Sequence, residues 1–127
     1  MPKTVLDVGN CEPDHASIRH LLTRHFGAQV LQAHGINDTL ELLTKHQIDL
    51  VLVNRKLDQD YSDGLDVVRK IKAETQFSSV PVMLVTNYQE HQQLAIDAGA
   101  VQGFGKLALR SPETHSRLAA ILVDSDR

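Results

Sequence analysis

The chain has 127 residues, 42% of them hydrophobic and 23% charged, which is enough for one self-sufficient core and too apolar for a disordered chain. Sixteen acidic against thirteen basic side chains leave a formal charge of −3, which excludes a dedicated nucleic-acid module that must neutralise phosphates. The single cysteine, Cys11, excludes an internal disulfide and a multi-cysteine zinc site, and no apolar run approaches a membrane span or a signal peptide, so a cytoplasmic domain over 1–127 without a membrane partner is expected.

Short aliphatic runs alternate with stretches of helical period from one end to the other. The first run, Thr4–Val8, carries Asp7 in its middle. An unpaired buried charge is costly, so Asp7 should have a structural partner, unless the strand lies one residue out of register. Glu12-Pro13-Asp14 places a proline where its missing N–H is harmless, and Ile18, Leu21, Leu22 and Phe26 mark the apolar face of the helix that follows. Gln29–Ala33 reads as a second strand, and Ile36, Leu40 and Leu43 as a second helical stripe. The run Ile48–Val53 is apolar from Leu50 onward, as suits a strand covered on both faces. Asp58, Asp60 and Asp63 then form an acidic loop that reads as a solvated turn. Asp63-Gly64 closes that loop before the stripe Leu65, Val68, Ile71. The fourth unit pairs Val80–Val85 with His91, Leu94, Ala95 and Ala98, again expected to be a core face. Ala100–Phe104 is a weaker fifth strand, and Ser111-Pro112-Glu113 offers a serine cap for a helix striped by Leu118, Ile121 and Leu122. Asp124-Ser125-Asp126-Arg127 is expected to lead towards a linker. Five βα units predict an α/β fold with a doubly wound parallel sheet and right-handed crossovers.

In such a sheet, sites form beyond the C-terminal ends of the strands. The residues there are Gly9-Asn10-Cys11-Glu12, Asn54-Arg55-Lys56, Thr86-Asn87 and Gly105-Lys106. The chain resembles the receiver domain of two-component response regulators over essentially its whole length. The resemblance rests on Val53 to Leu57 followed by Ser62-Asp63-Gly64-Leu65, on Val80-Pro81-Val82-Met83-Leu84-Val85-Thr86, and on Ala98-Gly99-Ala100 through Lys106. It implies a flavodoxin-like (βα)5 domain with strand order 2-1-3-4-5. It also implies a role in phosphorelay signalling, with Thr86 as the hydroxyl residue of the site and Lys106 as its lysine.

The departures from the family pattern are chemical. Asn54 stands where the family carries its phosphoacceptor aspartate. Counted from Glu12-Pro13-Asp14, Asn10 and Cys11 stand where it carries an acidic pair, with Glu12 at the third position. Leu107 replaces the proline after the lysine, and the aromatic switch position falls on Gly103, with Phe104 beside it. An amide is a poor nucleophile for acyl-phosphate formation, and Mg²⁺ wants anionic oxygen ligands. Weak or absent Mg²⁺ binding and no phosphorylation at position 54 are therefore expected, with no other cofactor.

Asn54 is read equally as a residue of a dead site or as a lock bonded to Lys106 or Thr86. Cys11 is expected to be a small buried hydrophobe. His15, His20 and His25 recur every five residues and share no helical face, and no H-x-x-x-H pair suggests zinc. Three functions compete. The first is an atypical, pseudo-receiver binding module that acts on a histidine kinase or effector and has no enzymatic activity. The second is a phosphoreceiver using Asp7, Asp58 or Ser62. The third is a flavodoxin-like cofactor protein, for which the phosphate-cradling loop is missing. The first is favoured. A homodimer through the last helix and its neighbour is expected if Leu107, Ala108 and Leu109 form an apolar patch.

Overall fold

The computed structural model describes residues 2–123; the expected lead into a linker at 124–127 lies outside the described residues. Five strands, β1 (Thr4–Val8), β2 (Gln29–Ala33), β3 (Leu50–Asn54), β4 (Val82–Val85) and β5 (Val101–Phe104), form one parallel sheet in the order β2-β1-β3-β4-β5. They alternate with helices α1 (Glu12–Phe26), α2 (Ile36–Lys45), α3 (Gly64–Ala73), α4 (Gln89–Asp97) and α5 (Pro112–Leu122), and a short 3-10 turn spans Lys106–Ala108. The expected fold and strand order are those observed; β3 and β4 each begin two residues later than the apolar runs suggested.

Alternation along the strands divides the interior into two layers. Leu6, Val8, Val51, Val53, Val82 and Leu84 pack beneath α2, α3 and α4. Val5, Leu50, Leu52, Met83 and Val85 pack beneath Ile18 and Leu22 of α1 and Leu118 and Leu122 of α5. Successive side chains of a strand point to opposite faces. Asp7, between Leu6 and Val8 and level with Leu52 of β3, therefore points into the α1/α5 layer.

Local chemistry sets the helix ends. Ser111 Oγ accepts the Thr114 N–H at the start of α5, and Asp63 accepts the Leu65 N–H at the start of α3, each satisfying a donor the first turn leaves free. Gly27 closes α1 in the left-handed region at φ 62°, where a glycine has no Cβ to clash.

The stripe expected for α4 is corrected. Leu94 is exposed, whereas Gln92 is buried beside Ala95. The pairing of β4 with β5 slips between Met83 and Val85, which interrupts the ladder. Gln92 supplies the missing partners: its Nε2 donates to Leu84 O (2.9 Å) and Thr86 O (3.2 Å), and its Oε1 accepts the Gly103 N–H (2.8 Å). A Cβ at Gly103 would collide with the Leu84 carbonyl, so an aromatic side chain has no room at this position without movement of the backbone.

Candidate functional site

The strand ends bring the four polar loops together, as expected. Asn54, Thr86 and Lys106 line one cavity of 220 Å³ with Arg55, Lys56, Asn87, Tyr88 and His91. A larger concavity of 680 Å³ lies at the opposite edge of the sheet, among Lys3, Gln29, His46 and Asp49; it is a broad polar depression away from the converging loops.

Asn54, the last residue of β3, bonds neither Lys106 nor Thr86, so of the two readings weighed for it the lock through those residues lacks its bonds. Its Nδ2 donates to Lys56 O (2.7 Å) and to Gly9 O (3.2 Å). Both acceptors are backbone carbonyls, so position 54 holds a donor that a carboxylate cannot replace. Thr86 is buried; its Oγ1 lies 3.2 Å from His91 Nδ1 and accepts the Tyr88 N–H at 3.3 Å. Lys106 donates from Nζ to Asp14 Oδ2 at 2.7 Å, across 92 positions of sequence. That ion pair holds the Asp14 carboxyl below its usual range. Asp14 thus occupies the lysine of the site, a role the sequence did not signal because the residue lies in the first turn of α1, beyond the loop that follows β1.

The loop after β1 departs most from expectation. Val8 is level with Val53, so Gly9 follows the strand beside Asn54, and Asn10 and Cys11 come next in the loop. Cys11 is exposed, not buried: it is the N-cap of α1, and its thiol donates to Asp14 Oδ2 (3.2 Å). The chain turns through Gly9 at φ 78° and sends the Asn10 side chain inward. Glu12 is exposed at the first position of α1.

Asn10 is buried and donates from Nδ2 to Asp7 Oδ1 (2.6 Å), while its Oδ1 has no partner. Asp7 is fully buried, with Oδ2 lying 2.7 Å from His15 Nδ1. Burial pushes the Asp7 carboxyl up, and the bonds from His15 and Asn10 pull it back. The structural partners expected for Asp7 are therefore His15, one turn into α1, and Asn10.

The alternative acceptors are engaged elsewhere. Asp7 is paired as above, Asp58 faces His34 Nδ1 at 3.1 Å, and Ser62 Oγ donates to Asp60 at 2.7 Å; in the same loop Asp63, not one of these acceptors, binds Arg55 Nη1 at 3.0 Å besides capping α3. Among the described residues no group of three or more His, Cys, Asp or Glu side chains could hold a metal ion, and no helix is long and apolar enough to cross a membrane. Of the expected apolar patch, only Leu107 is largely exposed (89%); Leu109 packs against the α1/α5 layer.

Solved structures with the same fold include a protein classed as a response regulator from Chloroflexus aurantiacus, at 21% identity and a TM-score of 0.80, covering 98% of this chain and 100% of the other. The BeF3-activated N-terminal receiver domain of RstA from Klebsiella pneumoniae is similar at 19% identity and a TM-score of 0.79, covering 96% and 100%. The chemotaxis protein CheY4 of Vibrio cholerae is similar at 18% identity and a TM-score of 0.76, covering 97% and 100%. A search of curated proteins gave no match. The response regulator receiver domain family matches residues 12–111, a span holding Asn54, Thr86 and Lys106, and the chain therefore belongs to the family of response regulator receiver domains.

Proposed function

We propose that this chain is a pseudo-receiver: a two-component signalling module that acts through protein contacts and is not phosphorylated at position 54. Receiver domains are signalling modules rather than enzymes and interact with histidine kinases and effector domains; a partner of that kind, met in the cytoplasm, is proposed here. The observation that carries the reading is the Asn54 amide, committed as a donor to two backbone carbonyls. A phosphoacceptor needs a carboxylate oxygen free to attack. Supporting it, Lys106 is drawn to Asp14, and Asn10 and Cys11 supply an amide and a thiol where a hard cation would need carboxylates. Mg²⁺ binding is weak or absent on this reading. Self-association is proposed through the exposed Tyr88, Leu94, Val101 and Leu107, on α4, β5 and the turns beside them, in place of the Leu107–Leu109 patch and last helix expected from the sequence.

Treatment with a small acyl-phosphate donor, with and without Mg²⁺, followed by intact mass spectrometry tests the proposal. No phosphoryl adduct is expected on a carboxylate, where it would be labile to acid and alkali, or on Ser62, where it would survive acid. An adduct mapped to the Asn54 loop, or to Asp7, Asp58 or Ser62, would overturn it.

A further inference from the structure

We propose that His15 Nε2 is a phosphoryl-accepting nucleophile, oriented by the buried Asp7 and taking its phosphoryl group from a phosphoramidate-type donor, the class to which phosphohistidine belongs. The inference rests on the reading of position 54 as silent, since it places the phosphoryl chemistry of the chain on a different residue.

The geometry is that of a carboxylate–imidazole dyad. Asp7 Oδ2 faces His15 Nδ1 at 2.7 Å, and Asn10 holds the other carboxylate oxygen at 2.6 Å. A carboxylate held in this way keeps the proton on Nδ1, so the ring presents Nε2 as a lone pair on its opposite side. The side chain is 15% exposed, and the ring makes no second hydrogen bond among the described residues. A fully buried aspartate is a costly way to satisfy one histidine; it is well suited to holding an imidazole in one tautomer and stabilising the cation that forms when Nε2 reacts.

Besides the dyad, the charged groups at this end of α1 are Lys106, Asp14 and Glu12. Side chains on a helix lean towards its N-terminus, and α1, fifteen residues long, has no side-chain cap at Cys11. Pro13 has no N–H and the His15 N–H is bonded to Cys11 O, so the first turn offers the N–H groups of Glu12 and Asp14. The Lys106 ammonium acts on Asp7 and binds Asp14, so the Asp14 carboxylate is already matched. The acidic Glu12 is exposed to solvent, and the Cys11 thiol is turned to Asp14.

In the step, the Nε2 lone pair attacks phosphorus and the new N–P bond forms as the donor's P–N bond breaks. With phosphoramidate itself the leaving group departs as ammonia with its three hydrogens. The imidazole keeps its Nδ1 proton and becomes a phosphorylated cation, whose charge the Asp7 carboxylate balances.

The test treats the full chain with potassium phosphoramidate, without Mg²⁺, and follows each of the seven histidines by intact and fragment mass spectrometry under alkaline handling. His15 should be labelled about tenfold or more faster than the exposed His20 and His46, in spite of its lower exposure, with a phosphoryl group that survives alkali and is lost in mild acid. Replacing His15 by Gln (His15→Gln) should remove the fast phase. Asp7→Asn should reduce the His15 rate to that of the exposed histidines. Labelling of His15 no faster than His20 overturns the proposal without touching the pseudo-receiver reading, and so does a fast phase unchanged in Asp7→Asn. Label on a carboxylate, lost in alkali, would instead overturn that reading. Should Asp7→Asn fail to fold, the comparison among histidines of the native chain decides.

Discussion

Asn54→Asp is the perturbation that most directly tests how the site is built. The native Nδ2 donates to Lys56 O at 2.7 Å and Gly9 O at 3.2 Å. A net contribution of about 1 kcal/mol per bond makes their joint loss, as in Asn54→Ala, worth roughly 2 kcal/mol. Aspartate does more than lose them, because it sets a charged oxygen against two carbonyl oxygens at a half-buried position. The total should approach about 3 kcal/mol at pH 7, lowering the melting temperature by about 10 °C in a domain of this size. A carboxyl disfavoured by its surroundings is raised above its unfolded value, so the penalty is full above the folded pKa and falls away as pH drops towards the unfolded one. Below that point the introduced side chain is protonated and can again donate to Lys56 O. The assay is urea denaturation of native, Asn54→Ala and Asn54→Asp chains at pH 7 and pH 4. Asn54→Asp should be the weakest at pH 7 and recover towards native at pH 4. Equal or greater stability of Asn54→Asp at pH 7 would refute the reasoning: it would mean that Lys106 leaves Asp14 to meet the new carboxylate.

Three further outcomes follow from the same geometry. The Asp7 carboxyl is raised, chiefly by burial, so its contribution to stability is fully present below the unfolded value of 3.8 and is lost as pH rises through the folded pKa. The stability of the native chain relative to Asp7→Asn should therefore rise on acidification from pH 7 to pH 4, read by denaturant midpoints. The Asp14 carboxyl is lowered by Lys106, the opposite sign: that contribution is present above 3.8 and lost as pH falls through the folded pKa. Because both side chains of the pair are more than a third exposed, Lys106→Met should cost less than about 1 kcal/mol at pH 7, while an NMR titration of Asp14 moves upward. Gln92→Leu strands two carbonyls and one N–H at the slipped β4–β5 pairing; it should cost about 2–4 kcal/mol and speed hydrogen exchange at the Gly103 amide more than at Leu6.

The architecture was legible in the residues because the central strands of a parallel sheet covered on both faces are nearly continuous apolar runs. Leu50-Val51-Leu52-Val53 is such a run, and five short, largely aliphatic segments separated by helical stripes admit few topologies. The convergence of Asn54, Thr86 and Lys106 was legible for the same reason, since each follows a strand and strand ends share one edge of the sheet. Cap residues such as Ser111 were visible because capping is local.

Other features depended on how the loops meet in space. Periodicity marks a face as apolar, yet Gln92 is buried where Leu94 is not, because a slipped pairing between two distant strands leaves backbone groups in need of partners. The sequence held Asn54 but not the carbonyls it serves, one of which lies 45 positions away at Gly9. Lys106 could have met any of several carboxylates, and the turn through Gly9 into α1 brings Asp14 to it. That same turn faces Cys11 outward and folds Asn10 back onto Asp7. Residue types determined the fold through burial, which each short segment signals on its own; the partners of the polar groups are set by distance and direction between segments, which only the packed chain supplies.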